Sequence, residues 1–250
     1  MIENIEITKR EVIVSIAITA IMITIGLFIG RNIDQANLES AKNYDTAIKI
    51  DNNTDLFRHC MNTNTGKAFV YGDLIAIDTV TFPEIGGMYM SARKIKEEYT
   101  KHYRTVYEYD DEGNISGSHE EEYWTWDEIC RESIHCEKVN FCGVDFDYEQ
   151  IDTPGMSYIT TEYEKWDNDI RYIYYGEETS HIGTLYTQLE NGTISQSNRF
   201  YNNTDITHTI ESLKNANEGS KTLFWLFWVI LTTVVIIGFC ALENKYLEDF

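Results

Sequence analysis

VIVSIAITAIMITIGLFIG, residues 12–30, and TLFWLFWVILTTVVIIGFCAL, residues 222–242, decide the architecture of this chain. Neither run holds a charged residue. As a helix rising ~1.5 Å per residue, each is long enough to cross a hydrocarbon core of ~30 Å. Almost all of the polar sequence lies between them. The chain therefore reads as a membrane hairpin around one domain of about 190 residues, a size that can bury a real core.

The 250 residues carry 41 acids against 20 bases, a net charge of -21. Between Arg31 and Lys221 the balance is 35 acids to 17 bases. Nucleic acid is excluded as a natural partner, because binding it takes a basic surface that neutralises phosphates. An anionic leaflet also repels such a domain. Acidity favours solubility, divalent cations and basic partners, although a solvated surface alone is the simpler account of it. Proline occurs only at Pro83 and Pro154, and Asn, Ile and Tyr are abundant. That bias suggests an AT-rich coding genome, bacterial or phage.

The first run exceeds the ~7–15 residues of a signal-peptide core, and Gly30-Arg31-Asn32-Ile33 offers no small-residue cleavage site, so a signal anchor fits better. Flanking charges barely separate the two sides: Lys9, Arg10 and Lys245 face Arg31, Lys42, Lys214 and Lys221. The expectation is an integral protein of the bacterial plasma membrane, termini inside and domain outside. Gly26-Leu27-Phe28-Ile29-Gly30 is a small-xxx-small step that suits packing against Gly238 or another copy, so a homo-oligomer is compatible with the sequence. Trp225 and Trp228 read as an interfacial belt.

The expected fold class is α+β: two transmembrane helices bracketing one β-rich membrane-proximal domain with long β-hairpins. Residues 31–66 read as a helical membrane-proximal segment, with Asn53-Thr54 capping a short helix through Met61. Residues 67–205 read as the β-rich acidic domain, and residues 206–221 as a short helix before the second span. The clearest pattern is Tyr99, Tyr103, Thr105, Tyr107 and Tyr109 at even spacing, which puts them on one face of a strand. Asp110 to Asn114 is a turn, and Tyr123, Trp124 and Trp126 return, which predicts a hairpin with an aromatic ladder. Residues 138–148 alternate around an irregularity at Gly143. Asn191-Gly192 predicts a tight hairpin turn.

Chemistry-bearing motifs are few. Cys130, Cys136 and Cys142 recur every six residues with His135 alongside. Structural zinc sites use tight Cys or His pairs, and none exists here. Zinc ligation by Cys130, His135, Cys136 and Cys142, a disulfide, and plain buried thiols all stay open. The stretch from Glu108 has acids where a calcium loop has them, but His119 stands where that loop needs its bidentate Glu. Nucleotide-binding, serine-hydrolase and zinc-protease signatures are absent, and no cofactor is called for.

The segments GKAFVYGDLIAID (66–78), KIKEEYTKHYRTVYEYDDEGN (94–114), YWTWD (123–127), KVNFCGVDFDY (138–148) and GTLYTQLENGTI (183–194) together resemble uncharacterised two-span membrane proteins of bacteria and their mobile elements. The layout is also distantly similar to the membrane-flanked domain of GIDE-type ubiquitin ligases. The zinc-binding RING that gives those ligases activity has no counterpart here. The resemblance therefore implies a binding or scaffolding domain beside a bilayer. The expected function is a membrane-anchored, non-enzymatic interaction, scaffold or sensing protein. A protein partner would dock on Tyr107, Tyr109, Tyr123, Trp124 and Trp126, with an enzyme or metal module on the cysteine cluster as the alternative.

Overall fold

The computed structural model describes residues 9–248 other than 112 and 197. In chain order the elements are α1 (Lys9–Thr46), β1 (Ile48–Asp51), α2 (Thr54–Asn62), β2 (Gly66–Ala76), β3 (Ser91–Tyr109), β4 (Ile115–His135), β5 (Lys138–Phe141), β6 (Val144–Asp147), β7 (Ile151–Asp152), β8 (Ser157–Glu164), β9 (Asp167–Gly176), β10 (Ser180–Glu190), β11 (Thr193–Ile194), β12 (Asn198–Asn202) and α3 (Ile206–Glu248). A single 3-10 turn at Tyr148–Gln150 precedes β7. The fold is α+β, with two long apolar helices bracketing a β-rich domain along the chain. The described residues divide into a helical unit (up to 47 and from 207) and a β-rich unit (48–206).

In the helical unit, α1 and α3 are both long and apolar enough to cross a membrane. Hydroxyls within the apolar stretches satisfy themselves locally. Thr19 donates to the Ser15 carbonyl (2.7 Å), and Thr232 donates to that of Trp228 (2.8 Å). Each helix continues through the polar residues that flank its span, adding 16 residues or about 24 Å (31–46 and 206–221). These extensions are joined by Lys221–Asp34 (2.6 Å), Lys214–Asp45 (2.7 Å) and Asn37 Nδ2 donating to the Asn217 carbonyl (2.9 Å).

The glycine step serves contact within the chain. Trp228 Nε1 donates to the Met22 carbonyl (2.9 Å), and its ring covers Gly26, where a Cβ would fall 2.4 Å from Nε1. Trp225 covers Gly30 in the same way, at 3.0 Å. Among the described residues, a Cβ at Gly238 would meet nothing within 4 Å, so it is not the partner the sequence suggested. Trp225 and Trp228 thus pack against α1, and they fill the faces of Gly26 and Gly30 that another copy would need.

The β-rich unit holds two sheets. The larger runs β6-β5-β2-β10-β12-β7, with β1 parallel to β2 and β11 paired to β10. The smaller runs β4-β3-β9-β8. Within the largely helical stretch 31–66 the chain also forms the short strand β1. Ile48 is half-buried and Ile50 fully buried, while Lys49 and Asp51 face solvent, a period of two over only four residues. The α2 cap is as the sequence suggests, with Asn53 Oδ1 accepting from the Leu56 amide (3.0 Å). The helix buries Phe57, Cys60 and Met61.

Phe57 lies 6.0 Å from both Phe141 and Phe146, and Phe141 lies 5.9 Å from Phe200. Each such ring contributes about 1.5–3 kcal/mol by leaving water. Ile50, Val70, Leu74, Val139, Leu185 and Leu189 belong to the same core. The irregularity at Gly143 is a two-residue hairpin turn between β5 and β6. Cys142 (φ 49°) and Gly143 (φ 76°) both sit in the left-handed region. A smaller cluster of Phe82, Ala92 and Tyr174 lies on one face of the second sheet.

Candidate functional site

β3 and β4 form a hairpin far longer than the tyrosine pattern alone implies. β9 pairs with β3 only from Ala92 to Glu98, whereas β4 follows β3 from Ser91 to Tyr109. Residues 99–109 and 115–126 therefore leave the four-stranded sheet as a two-stranded arm. At ~3.3 Å per residue, 11 residues of β3 reach about 35 Å. Tyr109 leads into a loop in which the Asn114 amide donates to Asp110 Oδ1 (2.8 Å) and Gly113 takes φ 84°.

Strand register sorts the candidate side chains. Tyr99 is opposite Trp126, Lys101 opposite Trp124, Tyr103 opposite Glu122, and Tyr107 opposite Ser118. These share one face. Tyr123 lies opposite His102 on the other face, where the two rings stack at 5.4 Å. The five expected docking residues are thus not one surface.

At the root, Trp126 is held on three sides: Tyr99 at 5.2 Å, Tyr163 of β8 at 6.1 Å, and the Arg171 guanidinium at 4.1 Å over its ring. Arg171 also bonds Glu97 through Nε (2.7 Å) and Nη2 (2.6 Å). Trp124 stacks on Tyr99 at 5.4 Å. This cluster anchors the arm. Beyond it, Tyr103, Tyr107 and Tyr109 are 57%, 51% and 65% exposed. Among the described residues, neither Tyr107 nor Tyr109 meets another ring or a cation. The stripe is therefore available surface at its tip and packing at its root.

The opposite face of the arm is laced by polar pairs. His102 Nε2 lies 2.5 Å from Asp127 Oδ2, Thr100 also bonds that oxygen, and the two donors hold the Asp127 carboxyl below its usual range. Arg104 reaches Glu121 (2.7 Å), and His119 reaches Glu108 (3.0 Å).

The cysteine cluster disperses. Cys130 is exposed on β4, Cys136 is buried just beyond that strand, and Cys142 is buried at the β5–β6 turn. His135 donates through Nδ1 to the Cys136 carbonyl (2.7 Å) and stacks on Tyr148 at 4.5 Å. Burial, with Asp78 nearby, pushes the Cys136 thiol up to about 11, and burial likewise raises Cys142. Both therefore remain protonated and poorly nucleophilic. Among the described residues, no three His, Cys, Asp or Glu side chains gather as a metal site.

A polar centre that sequence reasoning missed lies at Glu177, in the three-residue link between β9 and β10. Its side chain is fully buried. Ser91 Oγ (2.6 Å), Thr153 Oγ1 (3.0 Å) and Tyr148 OH (3.3 Å) donate to Oε2. The Gly155 amide donates to Oε1 (3.2 Å), with His181 Nε2 at 3.5 Å. A cleft of about 490 Å³ opens beside it, lined by Arg93, Tyr148, Asp152 and Tyr175. Ser91 donates to the carboxylate and not to the histidine, so the nucleophile–base geometry of a serine hydrolase is absent. With both oxygens occupied, Glu177 ties the strands of one sheet to those of the other. Nothing in the sequence distinguishes it from Glu178 beside it.

No family model matches this chain, and no curated protein or solved structure matches it either.

Proposed function

We propose that this chain is a membrane-anchored, non-enzymatic interaction protein whose β3–β4 arm docks a protein partner. The observation that carries this reading is the arm itself. Eleven residues of β3 run past their last β9 partner with exposed tyrosines and unpaired edges. A free two-stranded ribbon is marginal in water, and a fold that only needed a closed sheet would end it near Glu98. Tyrosine offers large contact area for little lost side-chain freedom, which suits a docking surface.

The two apolar helices support anchoring, and the reading places the chain in a bacterial plasma membrane with the acidic domain outside. A photo-reactive residue at Tyr107, in the membrane of the source cell, tests the docking role. A discrete heavier adduct is expected at Tyr107 and not at Tyr158, an exposed tyrosine on β8. Absence of any arm-specific adduct overturns the reading.

A further inference from the structure

The edges of the arm restrict what it can hold. Among the described residues, β4 pairs with β3 on one side and with no strand on the other over its whole length, 115–135. Such an edge is a template for one more strand. In its middle stand Glu120, Glu121 and Glu122. Register puts Glu120 and Glu122 on the face of Trp124 and Glu121 on the face of Tyr123. An added strand therefore meets carboxylates whichever way its side chains point. Residues 99–126 hold seven acids against Lys101 and Arg104, so a second copy of the same edge is repelled.

The fold already shows which side chains satisfy this surface. On the arm and at its root, three cations each lie between a carboxylate and a ring. Lys101 meets Glu122 (2.7 Å) and Tyr103 (5.6 Å), and Arg104 meets Glu121 (2.7 Å) and Tyr123 (6.0 Å). Arg171 meets Glu97 (2.6 Å) and Trp126 (4.1 Å). Among the described residues, Glu120 has no ion-pair partner, and Tyr107 and Tyr109 have no cation. One more set of carboxylate and ring groups thus stands ready beside an open edge.

We propose that the outer edge of β4 around Glu120–Trp124 takes a basic, extended segment of a protein partner as an added strand. Backbone hydrogen bonds supply the pairing. Lys or Arg at alternate positions supply the selectivity, through the carboxylates and through ring faces. This inference rests on the docking role of the arm and names the chemistry of its partner.

The test uses the full chain in nanodiscs of zwitterionic lipid and a dye-labelled decapeptide of alternating Lys and Thr, read by fluorescence anisotropy. A fully N-methylated peptide of the same charge cannot pair as a strand, and it is expected to bind at least tenfold more weakly. Glu120→Gln removes a carboxylate with no partner in the chain, so a few-fold loss is expected without disturbance of the arm's own ion pairs. The triple change to Gln at Glu120, Glu121 and Glu122 is expected to lose at least tenfold. Hydrogen exchange should show new protection on alternate β4 amides.

Equal binding of the N-methylated peptide overturns the inference, leaving charge attraction alone. So does unchanged affinity of the triple variant. If the peptide fails while the Tyr107 adduct persists, the partner has other chemistry, and only this inference falls. An adduct between two copies of the chain has the same consequence. If both the peptide and the adduct fail, the docking role falls with it.

Discussion

Glu177 shows how one residue governs the joint between the two sheets. Its backbone also takes part, with the Glu177 amide donating to the Ser91 carbonyl (2.8 Å) and the Met90 amide to the Glu177 carbonyl (3.1 Å). Burial pushes its carboxyl up, but His181, Ser91, Thr153 and the Gly155 amide outweigh that and hold it below the ordinary Glu range. A carboxyl depressed in the fold adds stability that is present above its unfolded value, ~4.5. That stability is lost as pH falls through the folded value. Denaturant unfolding of the wild type should therefore weaken on acidification below about pH 4.5. Glu177→Gln should be less stable near neutrality by about 1.5–3 kcal/mol, the scale of a hydrogen bond to a charged group. The gap between the two should narrow as pH falls. A constant gap would mean that the charge of Glu177 contributes nothing to the joint. The sequence gives no warning of this residue, because its five partners come from four separate segments.

The elements that carry strong local patterns were legible, and those that rely on neighbours were not. The Tyr99–Tyr109 alternation and the Asn191-Gly192 turn announce themselves. So do the two apolar runs. β8 and β12 went unread: β8 is an edge strand with mixed burial, and β12 has only five residues. The bulge near Lys96 and Glu97 was equally hidden, since one extra residue on β4 changes which side chains share a face without changing composition. Tyr123 parts from Trp124 and Trp126 by strand alternation alone, since the pairing runs without a shift from Asp127 to Gly117.

Replacing Tyr107 and Tyr109 with Ser should cost less than about 0.5 kcal/mol of stability each, as exposed sites do, yet abolish capture of the partner. Trp126→Ala should cost about 1–3 kcal/mol by removing the anchor under Arg171 and Tyr99. Thermal melts of both variants separate tip from root, and an unfolded tip variant would make those tyrosines core. For the helix pair, Ser15 Oγ lies 3.8 Å from Cys240 Sγ. Ser15→Cys should therefore cross-link to Cys240 on mild oxidation. Gly26→Leu, which drives a side chain into Trp228, should reduce that cross-link several-fold. Undiminished cross-linking would show that the Gly26–Trp228 contact does not set the helix packing.

At the scale of the whole molecule, the proposed placement of the β-rich unit outside the cell is measurable through its cysteines. Cys60, Cys136 and Cys142 are buried and Cys130 is exposed, all as free thiols. With Cys240 replaced by Ser, a bulky membrane-impermeant maleimide should read Cys130 alone, and Cys130→Ser should abolish the signal. Flanking charge gives a near tie, but long domains translocate with little regard to charge, and an acidic domain carries no basic patch to retain it inside. Labelling is therefore expected in intact cells. Labelling only after reduction would also place the domain outside. It would assign the disulfide to Cys130 and another chain, since the remaining domain thiols are buried within the fold. Labelling only after lysis would put the arm in the cytosol. The basic segment that the edge of β4 accepts would then belong to a cytosolic protein, and the external orientation would be wrong.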